Sequence, residues 1–316
     1  MEYVLGIDSG GTKFLVKAIG MDGTELAEYE GNPAGLYRFS KQDAVRIIQN
    51  NLEICISQAA LSKADCQAIV CGTTGIDSDE DRREVEGVYH SLPGYHCPVL
   101  CINDAEAALY AATGGIGVVL IAGTGSIAFG RNRQGEIHRC GGWPPCIYGD
   151  EGSGVWLNEK ALEYMSHVLD GRKKRTLLYD LLNQELVIQG PKDLIRICQR
   201  IEKENAGFLK LGPVIMRAAR EGDEYALAIL QEETALTVSL TKAVIRNLQM
   251  EQEPFRVGVW GSAIVKNPYH FRLFKEELEK EYKNVTVGIA DRDAAYGACQ
   301  IALDILEEKK DIYTFS

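Results

Sequence analysis

The chain has 316 residues, of which 46% are hydrophobic and 25% charged, and it carries a formal net charge of −11. This composition is typical of globular proteins and excludes a disordered or fibrous chain, while the length favours two domains over one. The negative charge argues against a nucleic-acid partner, because phosphate backbones are bound through clustered Lys and Arg. The basic block "GRKKR" at 171–175 is interpreted as a solvated helix end or loop.

Neither the apolar runs nor the N-terminus indicates a membrane protein. No uninterrupted apolar run approaches the ~18 residues of a membrane span, and "MEYVLGIDSGG" does not resemble a signal peptide. The nine cysteines are scattered without a CxxC pair, which is typical of free thiols in a reducing compartment. A cytoplasmic location is therefore expected. A zinc site at His138, Cys140 and Cys146 is the weaker alternative, because no fourth ligand stands at a recognisable spacing.

The first part of the chain alternates strands and helices. "MDGT" at 21–24 indicates a hairpin turn between two strands. Val45, Ile48 and Leu52 recur at helical spacing after Ser40, a candidate N-cap. The predicted strands are 3–8, 12–20, 24–30, 67–75 and 97–104, and the predicted helices are 41–61, 79–91 and 105–113.

The pattern then starts again, which indicates an internal duplication. Three strands separated by turns recur over 118–142, and Gly123 to Ser126 align with Ser9 to Thr12. A helical insert is predicted at about 152–249, then strands at 255–263 and 284–290 and helices at 267–283 and 292–309. We expect an N-terminal lobe over 1–115 and a C-terminal lobe over 116–316, each a mostly parallel sheet covered by helices. The last helix is able to pack back on the first lobe.

Glycine and hydroxyl residues follow three of the predicted strands, in "GIDSGGTK" (6–13), "IAGTGSIAF" (121–129) and "VWGSAIV" (259–265). Glycine lets backbone N–H groups converge on an anion, and hydroxyls add donors, so three such turns favour phosphate binding. One turn alone would carry little weight, because tight hairpins use the same residues. Asp8 is placed to hold a phosphate-bound magnesium through water. Neither GxxxxGK[ST] nor a GxGxxG that opens a helix is present, which excludes the kinases with those signatures.

These segments resemble the sugar kinase, actin and heat-shock chaperone superfamily of two-lobed ATPases. Within it, the chain is most similar to the N-acetylglucosamine kinases and the related benzoyl-CoA reductase-type (BadF/BadG/BcrA/BcrD) ATPase family. The motifs span nearly the whole chain in the family's order. They are "GIDSGGTK" (6–13), "CGTTGID" (71–77), "NDAEAAL" (103–109), "GTGSIAFG" (123–130), "GGW" with "GDEGSG" (141–154) and "VGVWGSA" (257–263).

The resemblance implies an α/β fold of two ribonuclease H-like lobes around an interdomain cleft, the actin-like ATPase fold, with a helical insert in the second lobe. It also implies ATP and magnesium as cofactors. Phosphates would be bound by the first and second turns, and the third turn would lie near the adenosine. The implied nucleotide-binding residues are Asp8, Gly10, Gly11, Thr12, Lys13, Gly123, Thr124, Gly125, Ser126, Gly261 and Ser262.

Asp104, at the end of the strand 97–104, corresponds to the family's catalytic base. General chemistry supports this role, since phosphoryl transfer to a sugar hydroxyl needs positioning, charge neutralisation and a carboxylate that accepts the proton. The alternative is that Asp104 only caps the next helix, because Asp is a leading N-cap residue.

The sugar site is expected beside Asp104. By resemblance, its candidate residues are Asn32, Thr74, Asp77, Gly142, Trp143 and Asp150. Carboxylates and amides suit vicinal hydroxyls, and an indole suits an apolar ring face; core packing is the alternative for Trp143. The chain departs from the family at "PPCIY" (144–148), where Pro144 and Pro145 stiffen the loop and remove two N–H donors. This departure leaves the identity of the sugar open.

The favoured function is an ATP-dependent kinase for a hydroxyl of an amino sugar, foremost N-acetylglucosamine, with N-acetylmuramate and glucosamine next. The alternative is an ATPase activator of a radical dehydratase or reductase, which needs cysteines for an iron-sulfur cluster. "GDEGSGVWL" lacks the cysteine that such activators place there, and Cys140 and Cys146 keep the idea open. A sugar-sensing regulator ranks third. The expected partner is the sugar, with neither nucleic acid nor membrane, and a homodimer is a family expectation.

Overall fold

The computed structural model describes residues 1–11, 13–36, 39–76, 78–143, 149–204 and 206–307. This part of the chain divides into two compact units. The first consists of Met1–Gly117, Arg133–Gly135 and the residues from Ala290 onward, and the second of Val118–Asn132 and Glu136–Ile289. Each sheet described below has five strands.

The strands of the first sheet are β1 Tyr3–Ser9, β2 Phe14–Gly20, β3 Glu25–Gly31, β4 Cys66–Thr73 and β5 Val99–Asn103. Their order across the sheet is β3-β2-β1-β4-β5. The first three strands are antiparallel neighbours, whereas β4 runs parallel to β1 and to β5. The sheet is therefore mixed rather than mostly parallel, because short turns join β1 to β2 and β2 to β3 and only antiparallel strands can be joined in this way.

The second sheet repeats this arrangement. Its strands are β6 Gly117–Ala122, β7 Ser126–Arg131, β8 Ile137–Gly141, β9 Phe255–Trp260 and β10 Val285–Ile289. The order is β8-β7-β6-β9-β10, with β6, β9 and β10 parallel and β7 antiparallel to β8. The duplication predicted from the two glycine turns is confirmed at the level of sheet topology.

The helices lie close to their predicted positions. They are α1 Lys41–Gln58, α2 Asp79–Tyr89, α3 Asp104–Thr113, α4 Gly154–Leu169, α5 Leu177–Leu186, α6 Pro191–Glu204, α7 Gly212–Arg220, α8 Glu224–Asn247, α9 Ser262–Val265, α10 Pro268–Glu281 and α11 Ala294–Leu306. The Ser40 hydroxyl accepts a hydrogen bond from the Asp43 amide at 3.2 Å and caps α1, as predicted. In the described part of the chain, no helix is long and apolar enough to cross a membrane.

The first sheet is covered by helices from both ends of the chain. α1 packs on β2 and β3, and α2 packs on β5, while α3 and α11 pack against each other and on β1 and β4. α11 approaches so closely that a Cβ at Gly6 would collide with the backbone of Ala295 and Cys299. Gly297 is equally constrained, because a Cβ there would collide with the backbone of α3. All β1 residues are buried except Asp8, which is half-buried.

The region predicted to be helical contains α4 to α8, which build an apolar core of their own. Leu182, Ile215 and Leu230 lie in this core, each almost fully buried. α8 extends from this core to β7 and β8, so the helices and the second sheet belong to one unit.

Candidate active site

Three parallel strands of the first sheet bring polar residues to one edge. Asp8 pairs in register with Gly72, Ser9 pairs with Thr73, and Thr73 pairs with Asn103. The Thr73 hydroxyl donates to the Ser9 carbonyl at 3.0 Å, which ties β1 to β4 at this edge. Since β1, β4 and β5 are parallel, their carboxyl ends coincide, and this is the edge at which open α/β sheets bind ligands.

Asn103, rather than Asp104, is the N-cap of α3. The Asn103 side chain accepts a hydrogen bond from the Ala105 amide at 3.0 Å, and Glu106 accepts from the Asn103 amide at 3.4 Å, which together form a capping box. Asp104 is the first residue of the helix, and its Oδ1 also accepts from the Ala105 amide at 2.9 Å. The expectation that Asp104 only caps the helix is therefore wrong, because the preceding residue already does so.

The carboxylate of Asp8 lies among other charges. Burial raises its pKa to about 6, and the neighbouring charges of Asp104 and Asp293 add to the increase. Lys13 opposes it, with Nζ 3.8 Å from Asp8 Oδ2. Asp293 already has partners of its own. It caps α11, and its Oδ2 lies 3.2 Å from Nζ of the buried Lys17. The edge therefore concentrates carboxylates that the fold only partly neutralises.

Magnesium fits this edge through water. Mg²⁺ takes oxygen ligands and keeps several of its waters, so one or two carboxylates suffice to hold it. Among the described residues, no group of three or more His, Cys, Asp or Glu side chains is arranged to hold a metal directly. Asp8, in contrast, is a carboxylate whose ionised form is disfavoured by burial and by like charges, and a nearby cation would relieve both.

The first glycine turn contains a glycine that the fold itself does not require. The Gly10 amide donates to the Lys13 carbonyl at 3.0 Å, which closes the turn between β1 and β2. Among the described residues, a Cβ at Gly10 would meet only that carbonyl, at an ordinary 3.8 Å, and its φ is not in the left-handed region. A glycine that neither packing nor backbone conformation requires is expected where a ligand approaches the backbone closely. Gly11 and Lys13 share this turn, and Thr12 lies outside the described residues.

The second glycine turn, Gly123 to Ser126, is held in the second unit by the start of α4. The amides of Gly154 and Val155 donate to the carbonyls of Gly123 and Thr124 at 2.8 and 3.1 Å. Turn carbonyls thus point at the helix N-terminus. Gly123 resembles Gly10 in having room for a Cβ, whose one neighbour within 4 Å in the described part of the chain is Gly261 Cα, at 3.9 Å.

Asp150 fixes the other side of this turn. Its Oδ1 accepts a hydrogen bond from the Ser126 amide at 2.9 Å, while the Ser126 hydroxyl donates to the Glu151 carbonyl at 2.6 Å. Gly125 lies so close to the Asp150 carboxylate that a Cβ would collide with it. Asp150 has a φ of 61°, which is rare for a non-glycine residue and typical of functional sites. Burial raises the pKa of Asp150, and the Ser126 amide opposes that increase.

The third turn lies against the second. Gly261 is the N-cap of α9, has a φ of 100°, and has no room for a side chain because of the Ala122 carbonyl group. Ser262 follows as the first residue of α9. The structure therefore brings together the candidate nucleotide residues of the second unit, Gly123 to Ser126 with Gly261 and Ser262.

The candidate sugar residues fall into two groups. Thr74 is exposed after β4 and lines a pocket of about 270 Å³ in the first unit, together with Ser9, Gly35, Leu36 and Thr73.

Asn32 is exposed after β3, and its carbonyl accepts from the side chain of the buried Asn51 at 2.9 Å, which anchors the loop. Asp77 and the prolines Pro144 and Pro145 lie outside the described residues.

In the second unit, Gly142 and Trp143 follow β8. Gly142 has a φ of 68°, which favours glycine, and its amide donates to the Ser126 carbonyl at 2.8 Å. Trp143 is 55% exposed, with the Arg139 guanidinium 5.7 Å from its ring centroid. The alternative that Trp143 packs in the core is therefore wrong.

Two features of this site were missed in the sequence. Asn103 followed three residues later by Glu106 is a capping-box pattern, and it would have separated the cap from Asp104. The proximity of Asp293 to Asp8 had no sequence signal, because the two residues lie at opposite ends of the chain. His138 and Cys140 of the weaker zinc alternative lie on β8, and Cys146 is outside the described residues.

Comparison with known proteins identifies relatives over nearly the whole chain. An N-acetylmuramic acid/N-acetylglucosamine kinase of Clostridium acetobutylicum is 33% identical over 96% of this chain and 98% of its own length. An N-acetyl-D-glucosamine kinase of Dictyostelium discoideum is 28% identical, with the same shares covered. A crystal structure from Chromobacterium violaceum matches with a TM-score of 0.76 and 24% identity, covering 96% of this chain and 99% of the other.

These matches confirm the α/β fold expected from the alternation of strands and helices, and the actin-like ATPase fold implied by the family resemblance. A family model described as the BadF/BadG/BcrA/BcrD ATPase family matches residues 5–302. This match includes the Asp8 and Asp104 edge of the first sheet and the second and third glycine turns. The chain therefore belongs to the BadF/BadG/BcrA/BcrD ATPase family.

Proposed function

We propose that this chain is an ATP-dependent kinase that phosphorylates a hydroxyl of an amino sugar, with N-acetylglucosamine or N-acetylmuramate as the acceptor and glucosamine as the next candidate. The observation that carries the proposal is the 33% identity to the Clostridium kinase along almost the full length of both chains. Its two ribonuclease H-like lobes are residues 1–115 and 116–316, with the last helix, α11, packed on the first lobe.

Asp104 is the proposed catalytic base. It stands at the carboxyl end of β5 and opens α3, while Asn103 provides the cap. A carboxylate in this place can accept the proton of a sugar hydroxyl as the bond to phosphorus forms, which is the one proton transfer that the reaction requires. Asp104 lies close enough to Asp8 for its charge to raise the pKa of Asp8, so the proposed base stands beside the proposed magnesium carboxylate.

The glycine turns are the proposed phosphate sites. Gly10, Gly11, Thr12 and Lys13 would bind phosphate oxygens in the first unit, and Gly123 to Ser126 would do so in the second. Gly10 and Gly123 support this assignment because no contact with the residues that the structure describes leaves too little room for a side chain there. Asp8 would hold magnesium through water, and the ion would neutralise phosphate charge during transfer. Gly261 and Ser262 are assigned to the adenosine.

The pocket beside Ser9, Thr73 and Thr74 is the proposed place for part of the sugar. Thr74 supplies a hydroxyl, and the loop after Asn32 supplies its backbone and apolar side chains. Asp77, Gly142 and Trp143 are retained as sugar candidates. The exposed Trp143 indole suits a sugar ring face because its ring is not used by the core.

The iron-sulfur activator is the less favoured alternative. The Clostridium and Dictyostelium relatives are both named as kinases. Within the described residues, no group of three or more His, Cys, Asp or Glu side chains is arranged to hold a metal ion, so nothing there favours an iron-sulfur cluster. Cytoplasmic location and a homodimer complete the proposal. Light scattering of the purified protein tests the dimer directly.

ATP consumption with a panel of sugars tests the function. Glucose, glucosamine, N-acetylglucosamine and N-acetylmuramate are each offered with Mg-ATP, and the sugar phosphate is identified by mass. We expect N-acetylglucosamine or N-acetylmuramate to give the highest kcat/KM. Asp104→Asn is the matched control, which separates this activity from a contaminating kinase. ATP turnover that no sugar stimulates, or bound iron in the purified protein, would contradict the kinase assignment.

A further inference from the structure

Two thiols of the first unit lie side by side at the edge of the sheet opposite Asp8. Cys66 is the first residue of β4, and Cys97 lies two residues before β5. Their sulfur atoms are 3.7 Å apart. Cys66 is 5% exposed, whereas Cys97 is only half-buried. One member of the pair is therefore accessible from solvent and the other is held beneath it.

The surroundings hold the buried thiol in place. The Cys66 thiol donates to the Ala68 carbonyl at 3.5 Å, and the fully buried Tyr3 occupies the paired position on β1. When Cys97 is ionised, its thiolate can accept the Cys66 S–H in place of the Ala68 carbonyl, which lowers the pKa of Cys97; the same interaction, together with burial, raises the pKa of Cys66. The more accessible sulfur is thus also the one that ionises more readily, as a reactive cysteine requires.

We propose that Cys66 and Cys97 form a reversible intramolecular disulfide when the protein meets a peroxide. The Cys97 thiolate attacks one oxygen of hydrogen peroxide, the O–O bond breaks, and a sulfenic acid and a hydroxide ion result; the hydroxide takes up the proton that Cys97 released on ionising and becomes water. Cys66 then attacks the Cys97 sulfur, the S–O bond breaks, and the leaving hydroxide takes the Cys66 proton to form a second water. Two thiols lose two electrons, and the peroxide gains them.

The required movement is small. A disulfide needs its sulfurs about 2.04 Å apart, so the pair must close by about 1.7 Å from the observed 3.7 Å. Cys97 precedes β5 in an irregular segment rather than within the strand, and can move without breaking a ladder hydrogen bond of β5.

A second pair in the same sheet provides a contrast. Cys71 and Cys101 are register partners on β4 and β5, and the Tyr89 hydroxyl donates to Cys71 Sγ at 3.1 Å. Both cysteines are 0% exposed. Proximity is thus common to both pairs, but only the Cys66 and Cys97 pair offers a sulfur that an oxidant in solution can reach.

The disulfide would close the segment that builds the pocket of the first unit. The chain between Cys66 and Cys97 includes β4, α2, Thr73 and Thr74, and Tyr89 of α2 lines the pocket as well. Linking the ends of a segment removes open conformations from its ensemble. Oxidation is therefore expected to reduce local opening of α2, independently of which substrate the pocket takes.

Peptide mapping of the folded chain tests the proposal. The full-length protein is treated with increasing hydrogen peroxide, free thiols are blocked, and non-reducing digests are analysed by mass. We expect a peptide pair linked through Cys66 and Cys97 that dithiothreitol releases. Cys198→Ser removes an exposed thiol that could join two molecules, and serves as the background. In Cys66→Ser, the sulfenic acid on Cys97 should persist and react with dimedone.

Three results would overturn the inference, and the first two concern the Cys66 to Cys97 linkage itself. One is oxidation of Cys198 in the unaltered chain with no Cys66 to Cys97 linkage, and the other is a linkage that forms only in urea. If a linkage forms between Cys71 and Cys101 at the same peroxide concentration, accessibility does not control the reaction and the argument also fails. Hydrogen exchange tests the consequence: slower exchange of α2 amides in the oxidised protein supports the closed segment, and unchanged exchange refutes it.

Discussion

The Asp104 carboxylate lies close enough to Asp8 for its charge to raise the pKa of Asp8, although Asp8 is on β1 and Asp104 is the first residue of α3, after β5. β4 lies between β1 and β5, and the parallel register aligns the ends of all three strands. The proposed base, Asp104, therefore contributes to the electrostatic environment of the proposed magnesium carboxylate, Asp8. A substitution of Asp104 is expected to change the pKa of Asp8 as well.

Asp104→Asn is expected to fold normally and to lose at least about 10²-fold in kcat, the range for removing a general base. Asn103 and Glu106 keep the cap of α3, so the helix does not depend on Asp104. Thermal unfolding and sugar phosphorylation measure the two effects. Asn103→Ala is the contrasting variant, which should lose about 1 kcal/mol of stability. Full activity in Asp104→Asn would eliminate this residue as the base.

Asp8→Asn should stabilise the ligand-free protein at pH 8 and abolish Mg-ATP turnover. The pKa of Asp8 is raised from 3.8 to about 6, so the folded state binds its proton more tightly than the unfolded state. The ionised group therefore costs stability above pH 6, by up to about 3 kcal/mol, a net cost that already includes the opposing effect of Lys13. Unfolding of both proteins is measured between pH 4 and 8. The stability gap should open between pH 4 and 6 and stay constant above; a gap that is absent at pH 8 contradicts the burial argument.

Gly10→Ala and Gly123→Ala should fold with near-normal stability and raise the KM for ATP by on the order of tenfold or more, the equivalent of ~1.4 kcal/mol of lost binding. In both cases the added methyl has room in the protein, at 3.8 and 3.9 Å from its nearest neighbour. Gly190→Ala is the matched control, since a Cβ there meets nothing within 4 Å. Steady-state kinetics with ATP varied give the readout. An unchanged KM in both variants would mean that neither turn approaches the nucleotide.

Asp150→Ala should raise the KM for ATP more than the KM for the sugar. The variant removes the acceptor of the Ser126 amide and places alanine at a φ of 61°, so the second glycine turn loses its support. Asp150→Asn keeps both the acceptor and a residue that tolerates this φ, and should restore ATP binding. If instead both variants raise only the sugar KM, Asp150 contacts the sugar directly, as its position in the motif first implied.

Trp143→Ala should change the free energy of unfolding by less than about 0.5 kcal/mol, because the side chain is 55% exposed and surface substitutions rarely cost more. Removal of the indole should still raise the KM for the sugar if the ring stacks on it. Trp143→Phe retains an aromatic face and is expected to recover most of the affinity for the sugar. An unaltered sugar KM in Trp143→Ala would remove this residue from the sugar site.

Much of the candidate site could be predicted from local sequence, because its chemistry is concentrated in turns. Gly10 and Gly123 follow apolar strands, where glycine is unusual, and a tight hairpin turn explains only part of their presence. Close approach of a ligand to the backbone is the further explanation that the local sequence suggests. The local sequence could not show whether Trp143 lies in the core or at a ligand site. An indole suits both a core and a ligand, and only its surroundings decide between them.

The order of strands and helices, the repeat of the strand and turn pattern, and the positions of the glycine turns were determined by the sequence alone, because each depends on residues that are neighbours in the chain. Tertiary structure decided which of two adjacent residues caps α3, which charges surround Asp8, and that Asp150 supports the second glycine turn. These relationships join residues from separate strands and distant segments, and only the register of the parallel strands and the docking of α11 and α4 bring them within reach of one another.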